Sequence, residues 1–147
     1  MSKTAVFAGS FNPFTIGHKS IVDRGLRLFD KIIIGVGINP GKLSDEDIVE
    51  RCSKIRNLFN DDGSVEVCSY TGLTADFVKS VGASAILRGV RNVSDFEYER
   101  NLADINMKVL GVETCMLFSL PEYSFVSGSM VRELEANGFD ASGYIAR

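Results

Sequence analysis

Ser10, His18, Lys42, Arg88, Arg91, Ser127 and Ser129 are the residues of this chain best suited to chemistry on an anion. His18 is the only histidine, and it closes the run Gly9-Ser10-Phe11-Asn12-Pro13-Phe14-Thr15-Ile16-Gly17. In that run Ser10 places a hydroxyl at the end of a predicted strand, Thr15 can cap a helix, and Gly17 admits a ligand close to the backbone. The helix N-terminus that follows would aim free N–H groups at a phosphate. No carboxylate lies near His18 in the sequence, so it makes an isolated base. Stabilising charge in a transition state suits it better, with a bound polyphosphate favouring its protonated form against the helix dipole.

Residue type alone supports plainer readings. A lone histidine is more often a core or capping residue, and Lys42 a solvated loop lysine. Arg88 and Arg91 are as readily ion-pair partners of Asp95 or Glu99 as ligands. Glu99 is most simply a helix-surface residue, Ser127 and Ser129 ordinary helix caps, and Leu73, Phe96 and Tyr98 core. Position reverses the odds for the three cations. Segments 10–18, 39–42, 88–91 and 123–129 each follow a predicted strand, where open α/β sheets hold their ligands.

The elements that must position these groups alternate along the chain. Strands are predicted over 5–8, 31–38, 65–68, 85–87 and 114–120, from short β-branched apolar runs. Helices are predicted over 17–29, 45–59, 73–81 and 95–110, with a last one after Ser129. The second would be capped by Ser44 and carry a core stripe of Ile48, Cys52, Ile55 and Phe59. This rhythm implies a single-domain α/β fold over 1–147, a doubly wound five-stranded parallel sheet of Rossmann-like type. Two decoys fail. Pro40 sits where a dinucleotide fingerprint starting at Gly35 needs its third glycine. Val36 and Leu43 replace the first glycine and the Ser/Thr of a Walker loop ending at Lys42.

Bulk properties bound the function. The 147 residues are 45% hydrophobic and 24% charged, with net charge −3, which suits a globular domain and argues against a nucleic-acid binder. Three scattered cysteines and one histidine leave no structural zinc set, and suit buried free thiols in a reducing compartment. The N-terminal residues lack a signal-peptide core, and no apolar run nears the ~20 residues that cross a bilayer. A cytoplasmic location with no membrane partner is expected.

Thr15-Ile16-Gly17-His18 is a form of the (H/T)xGH signature of the nucleotidylyltransferase superfamily. The run from Gly9 to His18 resembles the first motif of its bacterial phosphopantetheine adenylyltransferase family. The stretch from Arg88 to Glu99 resembles the second motif, and Tyr123 to Ser129 is similar to the third. The resemblance covers nearly the whole chain in order and spacing. It implies adenylyl transfer from ATP to 4′-phosphopantetheine, giving dephospho-coenzyme A and pyrophosphate in coenzyme A biosynthesis. By resemblance, Ser10 contacts the 4′-phosphopantetheine phosphate and the Ser10-Phe11 backbone meets ATP. His18 stabilises the pentacovalent α-phosphate, with Ser10, Lys42 and Arg91 also in the catalytic set. Lys42 and Arg88 bind phosphopantetheine, and Leu73 and Thr74 line its groove. Gly89, Val90, Arg91 and Glu99 contact ATP, as do Tyr123, Ser124, Phe125, Val126, Ser127, Gly128 and Ser129. Magnesium would arrive with ATP, no metal site being built into the loops, and relatives form homohexamers. Gly128 and the acidic run Asp45-Glu46-Asp47 depart from the family pattern, which usually has serine and more apolar residues there. The alternatives are a same-fold enzyme for another phosphate such as nicotinamide mononucleotide, and a non-catalytic nucleotide-binding module.

Overall fold

The continuous apolar runs become buried parallel strands. The computed structural model describes residues 2–39 and 45–147. Its strands are β1 (Thr4–Gly9), β2 (Lys31–Gly37), β3 (Val65–Tyr70), β4 (Ala85–Val90) and β5 (Glu113–Phe118). The helices are α1 (Ile16–Gly25), α2 (Asp45–Leu58), α3 (Thr74–Ser80), α4 (Val93–Leu110) and α5 (Gly128–Ala136). The strands form one sheet in the order β3-β2-β1-β4-β5, with every pairing parallel.

The two faces of the sheet follow the alternation of side chains along each strand. Phe7, Ile32, Ile34 and Val36 pack on one face with Val22 of α1 and with Ile48, Cys52 and Ile55 of α2. Val6, Ala8, Ile33 and Ile86 pack on the other with Ala75 and Val78 of α3. The predicted stripe of Ile48, Cys52, Ile55 and Phe59 is buried throughout. This is the doubly wound α/β sheet the sequence predicts. Burial pushes the Cys52 and Cys68 thiols up, so neither is a reactive thiolate at neutral pH.

Several boundaries differ from expectation. Helix α1 stops at Gly25 rather than Phe29. A β-carbon on Gly25 would lie 2.7 Å from Leu87 Cδ2 and 2.8 Å from Ile32 Cδ1, so a larger residue there would force these core side chains to shift. Leu28 N–H then bonds the Gly25 carbonyl, and the chain turns into β2. Helix α5 begins at Gly128, capped by Ser127, rather than after Ser129. The proposed Ser44 cap lies outside the described residues.

The difference that matters most is in β4. The sequence puts Arg88 to Arg91 in a loop, but Arg88, Gly89 and Val90 belong to the strand. They pair with Met116, Leu117 and Phe118 of β5. On its other side β4 pairs with β1 only from Ala5↔Ala85 to Phe7↔Leu87. Beyond that register β1 stays with β2 and β4 stays with β5, so the sheet splits. This is the point where strand order reverses, and the split makes a crevice.

Candidate active site

A cavity of about 540 Å³ fills that crevice. Its floor is Phe7 to Gly9 of β1 and Arg88-Gly89 of β4, and its sides are the N-termini of α1 and α5 and the first half of α4. Ser10, Phe11, His18, Arg88, Gly89, Arg91, Glu99, Val126, Ser127, Gly128 and Ser129 all line it. Ser10 and Ser129, 119 positions apart in sequence, thus meet at one site.

His18 owes its setting to a capping box. Thr15 is the N-cap of α1, and its hydroxyl accepts the His18 N–H at 3.2 Å. In return His18 Nδ1 accepts the Thr15 N–H at 2.9 Å. A ring nitrogen can accept an amide proton only when it is itself unprotonated, so this bond fixes the tautomer that carries hydrogen on Nε2. Phe7, Phe11 and Phe14 surround the ring, with centroids 6.1, 5.1 and 5.4 Å away. That burial, reinforced by the charges of Arg88 and Arg91, lowers the His18 pKa to about 4. The capping and chemical readings of this histidine are therefore compatible. The imidazolium expected from sequence is not how the ring is held here, because the neutral ring already has a donor in Nε2.

Two consequences can be measured. As the chain's only histidine, His18 can be followed alone by proton NMR, and it should titrate near pH 4 rather than 6.5. Between those pH values the unfolded chain binds a proton that the folded chain refuses. Stability should therefore fall as pH drops from 6.5 to 4, by up to about 3 kcal/mol, and this contribution should level off below pH 4. A midpoint near 6.5 in the folded protein would show that the ring is solvated and the capping bond absent.

The arginines are ion-paired as well as facing the cavity. Arg88 Nε and Nη2 donate to the two oxygens of Glu99 at 2.7 and 2.6 Å, and Nη1 donates to the Ala8 carbonyl. Glu99 is 6% exposed, so the surface position expected for it is wrong. It is buried because its partner stands on a strand rather than a loop. Arg91 Nε donates to Asp95 at 2.9 Å. Arg88 spends three of its five N–H groups in this way, which leaves two for a ligand.

Asp95, Ser119 and Arg132 also line the cavity and were not singled out from sequence. Arg132 Nη1 donates to the Asn12 carbonyl, and Nη2 to Ser129 Oγ at 3.3 Å. The signal for Arg132 was its place early in α5, where the helix dipole disfavours a cation unless an anion is near. Gly128 is explained by the same contact. A β-carbon there would sit 3.2 Å from Arg132 Nη1 and 3.3 Å from the Asn12 carbonyl, a tight fit for serine. Neither α1 nor α5 has an acidic residue in its first turn. Three arginines and two helix N-termini against two carboxylates make the cavity a site for a polyanion.

The remaining predicted residues lie elsewhere. Val90 is buried and faces a shallow hollow beside Val93 and Phe118. Tyr123, Ser124 and Phe125 form the turn leading into α5 and do not line the cavity, although Tyr123 approaches Gly17. Leu73 and Thr74 lie where β3, the sheet edge, enters α3; Thr74 Oγ1 is 2.8 Å from Tyr70 Oη. Leu73, Phe96 and Tyr98 are exposed, so the core reading fails for all three, and Tyr98 lines the cavity. Lys42 lies outside the described residues.

The model of the cytidylyltransferase-like family matches residues 6–134. A phosphopantetheine adenylyltransferase of Bacteroides thetaiotaomicron is 49% identical over 97% of this chain and 95% of its own length. One from Bacteroides fragilis is 46% identical over 99% and 97%. Among solved structures, a bifunctional NMN adenylyltransferase/ADP ribose pyrophosphatase from Francisella tularensis superposes with a TM-score of 0.70 at 16% identity. It covers the whole of this chain, which spans 46% of that protein, and at this identity the likeness shows a shared fold.

Proposed function

The chain belongs to the cytidylyltransferase-like family and, within it, to the phosphopantetheine adenylyltransferases, and on that premise we propose how its cavity works. The enzyme transfers the adenylyl group of ATP to 4′-phosphopantetheine, giving dephospho-coenzyme A and pyrophosphate, a step in coenzyme A biosynthesis. The observation that carries the mechanism is the histidine held as a neutral donor in an arginine-rich cavity.

The nucleophile is an oxygen of the substrate phosphate, already anionic, so no base is required. That oxygen bonds the α-phosphorus of ATP. The bond from α-phosphorus to the bridging oxygen breaks, and its electron pair leaves on pyrophosphate. The enzyme's task is to bring two anions together in line and to neutralise the charge that builds between them. His18 Nε2–H donates to the α-phosphate oxygens as they gain charge. Ser10, Lys42 and Arg88 hold the substrate phosphate, with Leu73 and Thr74 along the pantetheine arm. Gly89, Arg91 and Glu99 contact ATP with the 126–129 segment, and Arg132 with the free amides of α5 receives pyrophosphate.

Among the described residues no three His, Cys, Asp or Glu side chains cluster as a metal site, and both cavity carboxylates are held by arginines. The engagement of both carboxylates by arginines supports magnesium entering as part of the ATP substrate. Among the described residues no helix is long and apolar enough to cross a membrane. The proposed enzyme is cytoplasmic, with one domain over 1–147 built on the single five-stranded sheet. Phe118 on the edge strand β5 and Ile105 and Val109 on α4 are exposed apolar residues, which supports self-association; the homohexamer is proposed from the family resemblance.

The test is pyrophosphate release from ATP with 4′-phosphopantetheine and, separately, with nicotinamide mononucleotide. Release with the first and a rate at least 100-fold lower with the second is expected. Preference for the mononucleotide would replace the substrate, and release with neither would remove the activity.

A further inference from the structure

Three consecutive alternate carbonyls of the segment that carries the first motif are each caught by an arginine from a different element. Ala8 is bonded by Arg88 of β4, Ser10 by Arg51 of α2, and Asn12 by Arg132 of α5. Arg88 and Arg132 line the cavity, but Arg51 does not. It approaches from behind, in a second hollow that shares the wall of Phe11, Asn12 and Pro13 with the first. Its Nη1 donates to the Ser10 carbonyl at 3.0 Å.

The three pinned peptide units are not equivalent. The Ala8-Gly9 unit lies within β1, and the Asn12-Pro13 unit has no N–H. Only the Ser10-Phe11 unit has an N–H without a hydrogen-bond partner among the described residues. In a trans peptide the C=O and N–H point in opposite directions. A carbonyl held toward α2 therefore turns the Phe11 N–H away from α2, to the side where the cavity lies. The turn also needs holding, because Phe11 has φ 48°, a left-handed conformation costly for a non-glycine residue.

We infer that Arg51 is a positioning residue that sets the Phe11 amide as a fixed donor to ATP, acting through the Ser10 carbonyl and touching no substrate. The inference rests on the proposed adenylyl transfer from ATP. A preset dipole costs no reorganisation at the moment of reaction, so its loss should appear in turnover more than in binding of the other substrate.

The experiment compares Arg51→Ala and Arg51→Lys in the full chain, with Lys54→Ala as control on the same helix. Among the described residues Lys54 pairs with Glu50 at the surface, so its removal should leave kcat unchanged. Arg51→Ala should lower kcat by roughly 10- to 100-fold, the scale of one misplaced donor, with KM for 4′-phosphopantetheine within threefold. Arg51→Lys, which can still reach a carbonyl with one donor, should regain most of the loss. In protein labelled with ¹⁵N-phenylalanine, ATP should shift the Phe11 amide in wild type and not in Arg51→Ala. A kcat within twofold of wild type, or a Phe11 shift that survives, overturns the inference. If Arg51→Ala does not fold, Arg51→Gln is read in the same way, and failure of both to fold assigns Arg51 a structural role and overturns it too. A wild type that releases no pyrophosphate fails the substrate reading alone, since the Phe11 shift on ATP still decides the role of Arg51.

Discussion

Replacing His18 with alanine should lower kcat by roughly 10²–10³ while KM for both substrates stays within a few-fold, the loss expected for one preset transition-state donor. The ground-state phosphate is already solvated by arginines and helix amides, so the ring's contribution grows only as the α-phosphate gains charge. The same substitution removes the partner of the Thr15 N–H and should cost about 1 kcal/mol of stability at pH 7, the usual value of a cap. It should also abolish the loss of stability between pH 6.5 and 4. Thr15→Val separates the two roles. It deletes the hydroxyl that caps α1 but keeps the amide N–H that bonds Nδ1 and so fixes hydrogen on Nε2. That variant should lose about 1 kcal/mol and retain kcat within a few-fold. Equal kcat losses in the two variants would mean that His18 serves the fold of the loop and not the reaction.

How much of this site the sequence discloses depends on how local each signal is. The stripe Ile48, Cys52, Ile55 and Phe59 was legible because helical period alone places four apolar residues on one face. The Thr15 cap was legible for the same reason: its partner is three residues away. Arg88 was misplaced in a loop because a charge and a glycine interrupt the apolar run of β4. The strand continues only because β5 pairs with it, and that pairing is non-local. The sequence offers Glu99 and Asp95 as ion-pair partners of Arg88 and Arg91, as found, but with Arg88 in a loop it gives no reason for Glu99 to be buried. The carbonyl contacts of Arg51 and Arg132 bridge 41 and 120 positions, and nothing in a local pattern encodes them. Sequence thus found groups that line the cavity more readily than those that hold the loop in place.

The Arg88–Glu99 pair should be the largest single electrostatic contribution to the stability of the cavity. Glu99→Ala should cost about 3 kcal/mol, because it leaves the Arg88 guanidinium in a largely enclosed crevice without its counter-charge. At roughly 3 °C per kcal/mol for a chain of this size, Tm should fall by about 10 °C. Exposed pairs such as Lys19–Asp23 or Arg100–Asp104 should shift it by less than about 2 °C, since solvent screens them. The deficit should also respond to ligand. An unpaired Arg88 gains more from a bound phosphate than a paired one, so saturating 4′-phosphopantetheine should raise the Tm of Glu99→Ala by more than it raises that of wild type. The two melting curves should converge as 4′-phosphopantetheine is added, even if kcat is poor. Parallel shifts in both proteins would show that Arg88 never meets the substrate phosphate and belongs to the fold alone. A loss of less than 1 kcal/mol without ligand would show that water already reaches the pair and screens it.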